Sequence, residues 1–328
     1  MHRQLKTVMI GAGSRANDVI YPAFASLAQV DMIGICDIDN DRLHQTADRY
    51  QISNRYSAGS ITAYQDMIKD LQPDAVVAIG QPHLMYDIWL WCLQQGLNLY
   101  IEKPLALNIH QARSLAETAC RNNCVTQVSF QRRYTPMVRM LKDRCLKHGN
   151  IVHALCRFYK YDIADRFDAR DHMFDDTVHS IDTLRWICGS EIIKIESDVK
   201  RVQTQDINFI AATLYFANGA NGYLLNSWSS GKRIFAVEMH SPGVFAEAEH
   251  EAKGFLYADG DLQGVEYDTR TAAGSDEAYV YTGVRAAAED FANACLKGGQ
   301  PECHFADALK TMEAAEIILA QALLGGKK

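Results

Sequence analysis

The chain has no run of basic residues and a formal net charge of −7, so a nucleic-acid partner is not expected. No apolar segment reaches transmembrane length, and no membrane partner is expected either. The start, Met1-His2-Arg3-Gln4-Leu5-Lys6, leads straight into an apolar stretch without the h-region or cleavage site of a secretory signal. The nine cysteines are odd in number, scattered, and form no Cys-x-x-Cys pair, which argues against a zinc cluster or a disulfide framework. Cys120 and Cys124 stand one helical turn apart and read as helix packing. A reduced, cytoplasmic protein is the resulting expectation. There is no internal repeat or low-complexity segment, and 328 residues suit two domains, expected at 1–125 and 126–328.

What is present begins with a glycine motif. Leu5 to Ile10 is apolar and strand-like, and Gly11-Ala12-Gly13-Ser14-Arg15-Ala16 then turns into a helix. This is G-x-G-x-x-A, the dinucleotide fingerprint with alanine in third place. Its first two glycines permit a tight turn and close approach of a pyrophosphate, and Ala16 lets the helix pack on its strand. Amides at the helix start would face the phosphates. A second apolar run, Val30 to Cys36, ends at Asp37, where a carboxylate suits the adenosine ribose hydroxyls and repels a 2′-phosphate. NAD is therefore favoured, while Arg42 leaves NADP open. Asp39 and Asp41 are placed to cap the next helix.

Strand-like and helical stretches keep alternating through Ala75–Ile79, His83–Gln95, Leu97–Ile101, Asn108–Asn122 and Thr126–Ser129. That pattern predicts a doubly wound parallel sheet, a Rossmann domain. Glu102-Lys103-Pro104 closes one of these strands, at the edge where open α/β sheets bind ligands. A lysine held there by a carboxylate and a φ-locked proline suits proton transfer; a salt-bridged turn is the plainer alternative.

Further on, Asp175 and His179 are four apart and can share one side of a helix spanning about Thr177 to Cys188, capped by Asp175 or Asp176 and ended by Gly189. Asp182 is spaced to orient the His179 imidazole. Alcohol oxidation needs a base for the hydroxyl proton as hydride leaves, and histidine titrates in the useful range. Arg132, Arg133, Arg139, Lys142 and Arg144 suit a solvated helix face, and Arg157, Lys160, Arg166 and Arg170 a salt-bridged loop. Arginines just before the helix also suit an anionic sugar such as a uronate, sugar phosphate or nucleotide sugar, with Tyr159 and Tyr161 lining its pocket.

From Ile192 to Asp268, short strand-like runs separated by turns such as Ala217-Asn218-Gly219 predict a mostly antiparallel sheet, followed by helices over 283–296 and 307–324. One open face of that sheet would be covered by a second copy, as a homodimer or homotetramer.

Gly11–Ala16, Cys36-Asp37-Ile38-Asp39, Tyr100–Ala106, Phe130-Gln131-Arg132-Arg133-Tyr134, Asp175–Asp182 and Phe305–Leu309 together resemble the glucose–fructose oxidoreductase / inositol dehydrogenase (Gfo/Idh/MocA) family, most of all its "virulence factor" oxidoreductase branch. The resemblance implies an α/β protein: an N-terminal Rossmann domain and a C-terminal α/β domain with a large, mostly antiparallel, open-faced sheet. It implies hydride transfer between a nicotinamide cofactor and a hydroxyl or carbonyl of a sugar or polyol. Lys103, Asp175 and His179 would be catalytic. Gly11, Gly13, Ser14, Arg15, Ala16, Asp37, His83, Glu102, Lys103 and Gln131 would hold the cofactor. Lys103, Arg133, Tyr161, Arg170, Asp175 and His179 would bind the substrate. The chain departs from the family at Gly80-Gln81-Pro82-His83-Leu84-Met85, where His83 is displaced and Met85 occupies the usual histidine position. His172, Asp175 and His179 have metal-ligand chemistry, but the resemblance argues against a metal. A nucleotide-binding sensor and a glycosidase with bound NAD are the alternatives.

Overall fold

In a computed structural model, residues 3–57, 62–164 and 171–325 are described. The chain divides into two units: residues 1–130 with 278–280 and 284–309, and residues 131–277 with 281–283 and 310–328.

The first unit is built on six strands: β1 (Leu5–Ile10), β2 (Val30–Asp37), β3 (Arg55–Ser57), β4 (Ala75–Ala78), β5 (Asn98–Ile101) and β6 (Thr126–Val128). They run in the order β3-β2-β1-β4-β5-β6, and every pairing is parallel. A parallel sheet is covered on both faces, so its strands are apolar throughout. All four residues of β4 are buried. The helix Asn40–Arg49 starts where Asp39 caps it, accepting from the amides of Asp41 and Arg42. Tyr100 on β5 is fully buried, with Phe24 edge-on at 5.2 Å and Phe291 at 5.7 Å. Phe291 lies on the helix Val284–Lys297, which returns late in the sequence to this core. Burying such an aromatic is worth roughly 1.5–3 kcal/mol. The helix pattern reveals an apolar stripe but not which sheet it covers, so residues 284–309 join the first unit rather than the second. The first unit also runs past residue 125 to take in β6.

The second unit holds eight strands: β7 (His153–Tyr161), β8 (Ile192–Lys200), β9 (Phe209–Phe216), β10 (Asn221–Ser227), β11 (Ser229–Ser241), β12 (Val244–Glu249), β13 (Lys253–Ala258) and β14 (Val265–Asp268). Their order is β14-β13-β12-β11-β7-β10-β9-β8, and only β7 with β10 is parallel. Burial alternates along β9, β10 and β12, as a half-covered antiparallel sheet requires. On the inner face lies the helix Val178–Cys188, ended by Gly189 in the left-handed region as expected. It approaches closely at Gly222, where a Cβ would stand 3.0 Å from Phe216 and 3.5 Å from Leu184.

One expectation is corrected here. Arg157 and Lys160 do not sit in a loop but on β7, a central strand between β11 and β10. Cys156 and Phe158 point inward and are buried, while Arg157 and Tyr159 alternate to the other face. The charges hide the period-two pattern.

Candidate active site

Because the first sheet is parallel, the carboxyl ends of β1, β2, β4 and β5 open on one edge. The strand order reverses between β1 and β4, the switch point where ligands of open α/β sheets bind. Gly11 follows β1 there with φ +95°, and a Cβ on it would fall 1.9 Å from the Ile79 carbonyl oxygen beyond β4. Only glycine satisfies both conditions. Gly13, by contrast, has nothing within 4 Å of a built Cβ, so the backbone is open to a phosphate. The loop enters a π-helical turn, Ala16–Ile20, with Ala16 buried beneath it. Asn17 fixes the loop by donating to the Ala12 carbonyl at 2.8 Å and to Thr46 Oγ1 at 3.0 Å.

Asp37 lies beside this loop. Its Oδ2 accepts from the Ala12 amide at 2.5 Å and its Oδ1 from the Asp39 amide at 2.7 Å. A cavity of about 490 Å³ runs from Ala12 and Ser14 along the helix that carries Arg42, Gln45 and Arg49. These last residues carry no motif, and only their place beside the loop identifies them.

Glu102 is buried at the end of β5 and accepts from Arg15 Nε at 2.9 Å. Burial works against the Arg15 charge, but Glu102, joined by Tyr100 and Asp18, raises the arginine above its ordinary value. The other Glu102 oxygen accepts from the Lys103 amide at 3.3 Å. One carboxylate thus couples the phosphate loop to the backbone of Lys103, which is half-buried. His83 sits in the first turn of the helix Pro82–Gln94, just beyond β4. Met85 is buried instead, packed so closely on Gly80 that a Cβ there would meet its sulfur at 2.7 Å. An open glycine cradle, an acid at the end of β2 and a helix start fit a dinucleotide.

In the second unit, a π-helical turn, Met173–Thr177, runs directly into the helix Val178–Cys188. Neither Asp175 nor Asp176 caps that helix, because Thr177 at its start is itself helical. Asp176 is buried instead. Lys160 Nζ stands 2.8 and 2.6 Å from its two oxygens, and Trp228 Nε1 donates to it at 2.8 Å. No motif marks this anchor, which ties the turn to β7 and to the residue between β10 and β11. His172 stacks on Trp228 at 4.3 Å. Asp171 Oδ1 accepts from the Phe174 amide at 2.7 Å. Ser180 donates to Asn226 Oδ1 at 3.1 Å, and Asn226 donates to Thr177 Oγ1 at 3.1 Å, stitching the first helical turn to β10. His179 lies in this turn, 5 % exposed, and Asp175 just before it is half-buried.

Two expected substrate residues, Arg133 and Tyr161, have other surroundings. Arg133 is committed to Asp182: Nε and Nη2 reach its two oxygens at 2.7 and 2.5 Å, and the side chains are 5 % and 1 % exposed. Asp182, whose spacing suggested a partner for His179, thus holds Arg133, expected at the substrate, in a buried ion pair. Tyr161 is 72 % exposed and, by strand alternation, on the face opposite Lys160. Arg170 lies outside the described residues. Gln131 is buried in the turn Gln131–Tyr134, with its Oε1 unpartnered among the described residues. Among the described residues no cluster of His, Cys, Asp and Glu is placed to hold a metal ion, and no helix is long and apolar enough to cross a membrane.

A six-stranded sheet in this order, with a glycine loop at its switch point, defines the dinucleotide-binding Rossmann class. Residues 5–130 match the family model for the oxidoreductase family with NAD-binding Rossmann fold, and residues 147–240 match the GFO/IDH/MocA C-terminal domain. The chain belongs to the Gfo/Idh/MocA family, and its first unit is an NAD-binding domain. It is similar to the inositol 2-dehydrogenase/D-chiro-inositol 3-dehydrogenase of Lactiplantibacillus plantarum, 24 % identical over 58 % of this chain and 54 % of that protein. The chain spans a little over half the length of the first curated relatives it matches. Among solved structures, a dehydrogenase from Chromobacterium violaceum superposes with a TM-score of 0.86 at 20 % identity, covering 98 % of both chains. A levoglucosan dehydrogenase, solved with NADH and levoglucosan, gives 0.82 at 19 % identity, again over 98 % of both. At these identities the structures establish the fold.

Proposed function

We propose that this protein is an NAD-dependent oxidoreductase that moves a hydride between the cofactor and a hydroxyl or carbonyl of a sugar or polyol. The observation that carries the reading is the Glu102 carboxylate, which bonds Arg15 of the phosphate loop and the amide of Lys103 at one sheet edge. The bond ties the backbone of Lys103 to the loop that would cradle a dinucleotide, which supports a role for its amine there. Gly11, Gly13, Ser14, Arg15 and Ala16 would hold the pyrophosphate, and Asp37 the adenosine ribose. NAD, when bound, supplies the hydride acceptor or donor at its nicotinamide ring. Lys103 polarises the substrate oxygen, His179 takes or returns the hydroxyl proton, and Asp175 holds neighbouring hydroxyls. Asp37 favours NAD over NADP, since a 2′-phosphate would meet a carboxylate already fixed on the loop. Relatives named for inositol and levoglucosan support the substrate class.

The outer face of the second sheet favours a homodimer. His153 stacks on His240 at 4.0 Å, His240 on Phe245 at 4.8 Å and Phe245 on Tyr257 at 5.6 Å, a flat aromatic row suited to a second copy. A monomer in analytical ultracentrifugation at micromolar concentration would remove this part.

Absorbance of the reduced nicotinamide tests the activity. The protein is given NAD or NADP with inositols, sugars, sugar alcohols and sugar acids. Turnover is expected with at least one, faster with NAD. Silence with both cofactors, despite dinucleotide binding, would overturn the reading.

A further inference from the structure

On the inner face of the second sheet a cation is buried without an ion pair among the described residues. Arg132 is 8 % exposed, and its guanidinium carbon lies 3.5 Å from the ring centre of Phe235 and 5.3 Å from that of Phe158. Its Nε has no hydrogen-bond partner among the described residues. The acids whose fields reach it are Glu251 and Asp176, and neither bonds it. Asp176 is already taken by Lys160 and Trp228. Next to Arg132 stands His250, 2 % exposed, edge-on to Phe235 at 4.7 Å, with both ring nitrogens unpartnered among the described residues.

Burying a guanidinium is costly unless something compensates, and cation–π contact with two phenyl rings offsets only a fraction. Packing alone does not call for an arginine, since an unbranched apolar side chain would fill the space between Phe158 and Phe235. Burial has drawn Arg132 down to about 10, which still leaves it charged at neutral pH. The same burial, with Arg132 alongside, holds His250 far below its ordinary value and therefore neutral. A neutral imidazole keeps one N–H to donate. Lys160 lies over the same Phe158 ring, at 4.8 Å, and anchors the turn that carries Asp175.

We propose that Arg132 is the specificity-determining residue of the substrate site and that the substrate is an acidic sugar, a uronate or aldonate. Its carboxylate is bound by the Arg132 guanidinium with the His250 N–H in support. One guanidinium and one neutral donor match a monoanion. The Arg233 charge also reaches Arg132 and adds a positive field that suits an anion. The inference rests on the oxidoreductase reading, whose Lys103, Asp175 and His179 would act on a hydroxyl of the same molecule.

Matched pairs test it on the wild-type protein: D-glucuronate against D-glucose, D-galacturonate against D-galactose, D-gluconate against D-glucitol, each with NAD. The acid of at least one pair should have the higher kcat/KM by about tenfold or more. In Arg132→Gln, that preference should collapse through KM by about thirtyfold, the scale of a charged hydrogen bond, while neutral substrates change less than about threefold. Arg132→Lys should recover part of it. Neutral sugars turned over as well as or better than their acids, or equal losses for both in Arg132→Gln, would overturn the proposal and leave the dehydrogenase standing. If no compound is turned over, calorimetry with the same acids and NAD decides. Binding of an acid by the wild type that is lost in Arg132→Gln would keep the anion site and remove the dehydrogenase. No binding of any acid would remove both.

Discussion

Replacing Lys103 or His179 by alanine should abolish turnover, with kcat falling by about 10²–10⁴, while NAD affinity stays within about tenfold. The two residues stand on different elements and for different reasons. Lys103 follows β5, its amide bonded to the Glu102 carboxylate that also grips Arg15. His179 lies in a helical turn fixed to β10 through Ser180, Asn226 and Thr177. Neither substitution touches the glycine loop, whose backbone is set by Gly11 and Asn17, so dinucleotide binding should survive both. Steady-state rates with fluorescence titration of NADH separate the effects. Wild-type rates in both variants would show that the acid–base work is done elsewhere. Loss of NAD binding in step with activity would make Lys103 a cofactor residue alone.

Asp182→Ala should destabilise the protein by about 3–5 kcal/mol, the range for removing one partner of a buried ion pair. Asp182 is 1 % exposed and takes two bonds from Arg133, 5 % exposed, and a third from Thr311 Oγ1 at 3.3 Å. Thr311 in turn accepts from Arg185 at 2.9 Å, so the loss spreads through a small network. Without the carboxylate, Arg133 is left buried and charged. The double variant Arg133→Met/Asp182→Leu should be milder than Asp182→Ala, because no charge is stranded. Urea unfolding measures all three proteins. A loss below about 1 kcal/mol in Asp182→Ala, together with a large fall in kcat, would instead make Asp182 the partner of His179.

The parallel sheet was legible because strands buried on both faces read as unbroken apolar runs, as in Ala75–Ala78, and because the glycines and Asp37 mark its edge. β7 was not, since Arg157, Tyr159 and Lys160 break the apolar pattern of a strand whose other residues, Cys156 and Phe158, point inward. Helix 284–297 shows its stripe but not its destination, since Phe291 meets Tyr100 across nearly two hundred positions. At the second-unit site, sequence spacing singled out Asp175, His179 and Asp182 on one helix. It could not show that Asp176 faces Lys160 and Trp228, or that Arg133 is paired while its neighbour Arg132 has no ion pair among the described residues. Adjacent residues of like charge look interchangeable in a sequence, and only packing separates them.

Central to this account is direct hydride transfer from a carbinol carbon to NAD. A sugar or polyol substrate deuterated at the carbinol carbons is turned over with unlabelled NAD, and the reduced cofactor is analysed by mass spectrometry. One deuterium per NADH is the expected result. Unlabelled NADH, or deuterium found in water, would contradict the account.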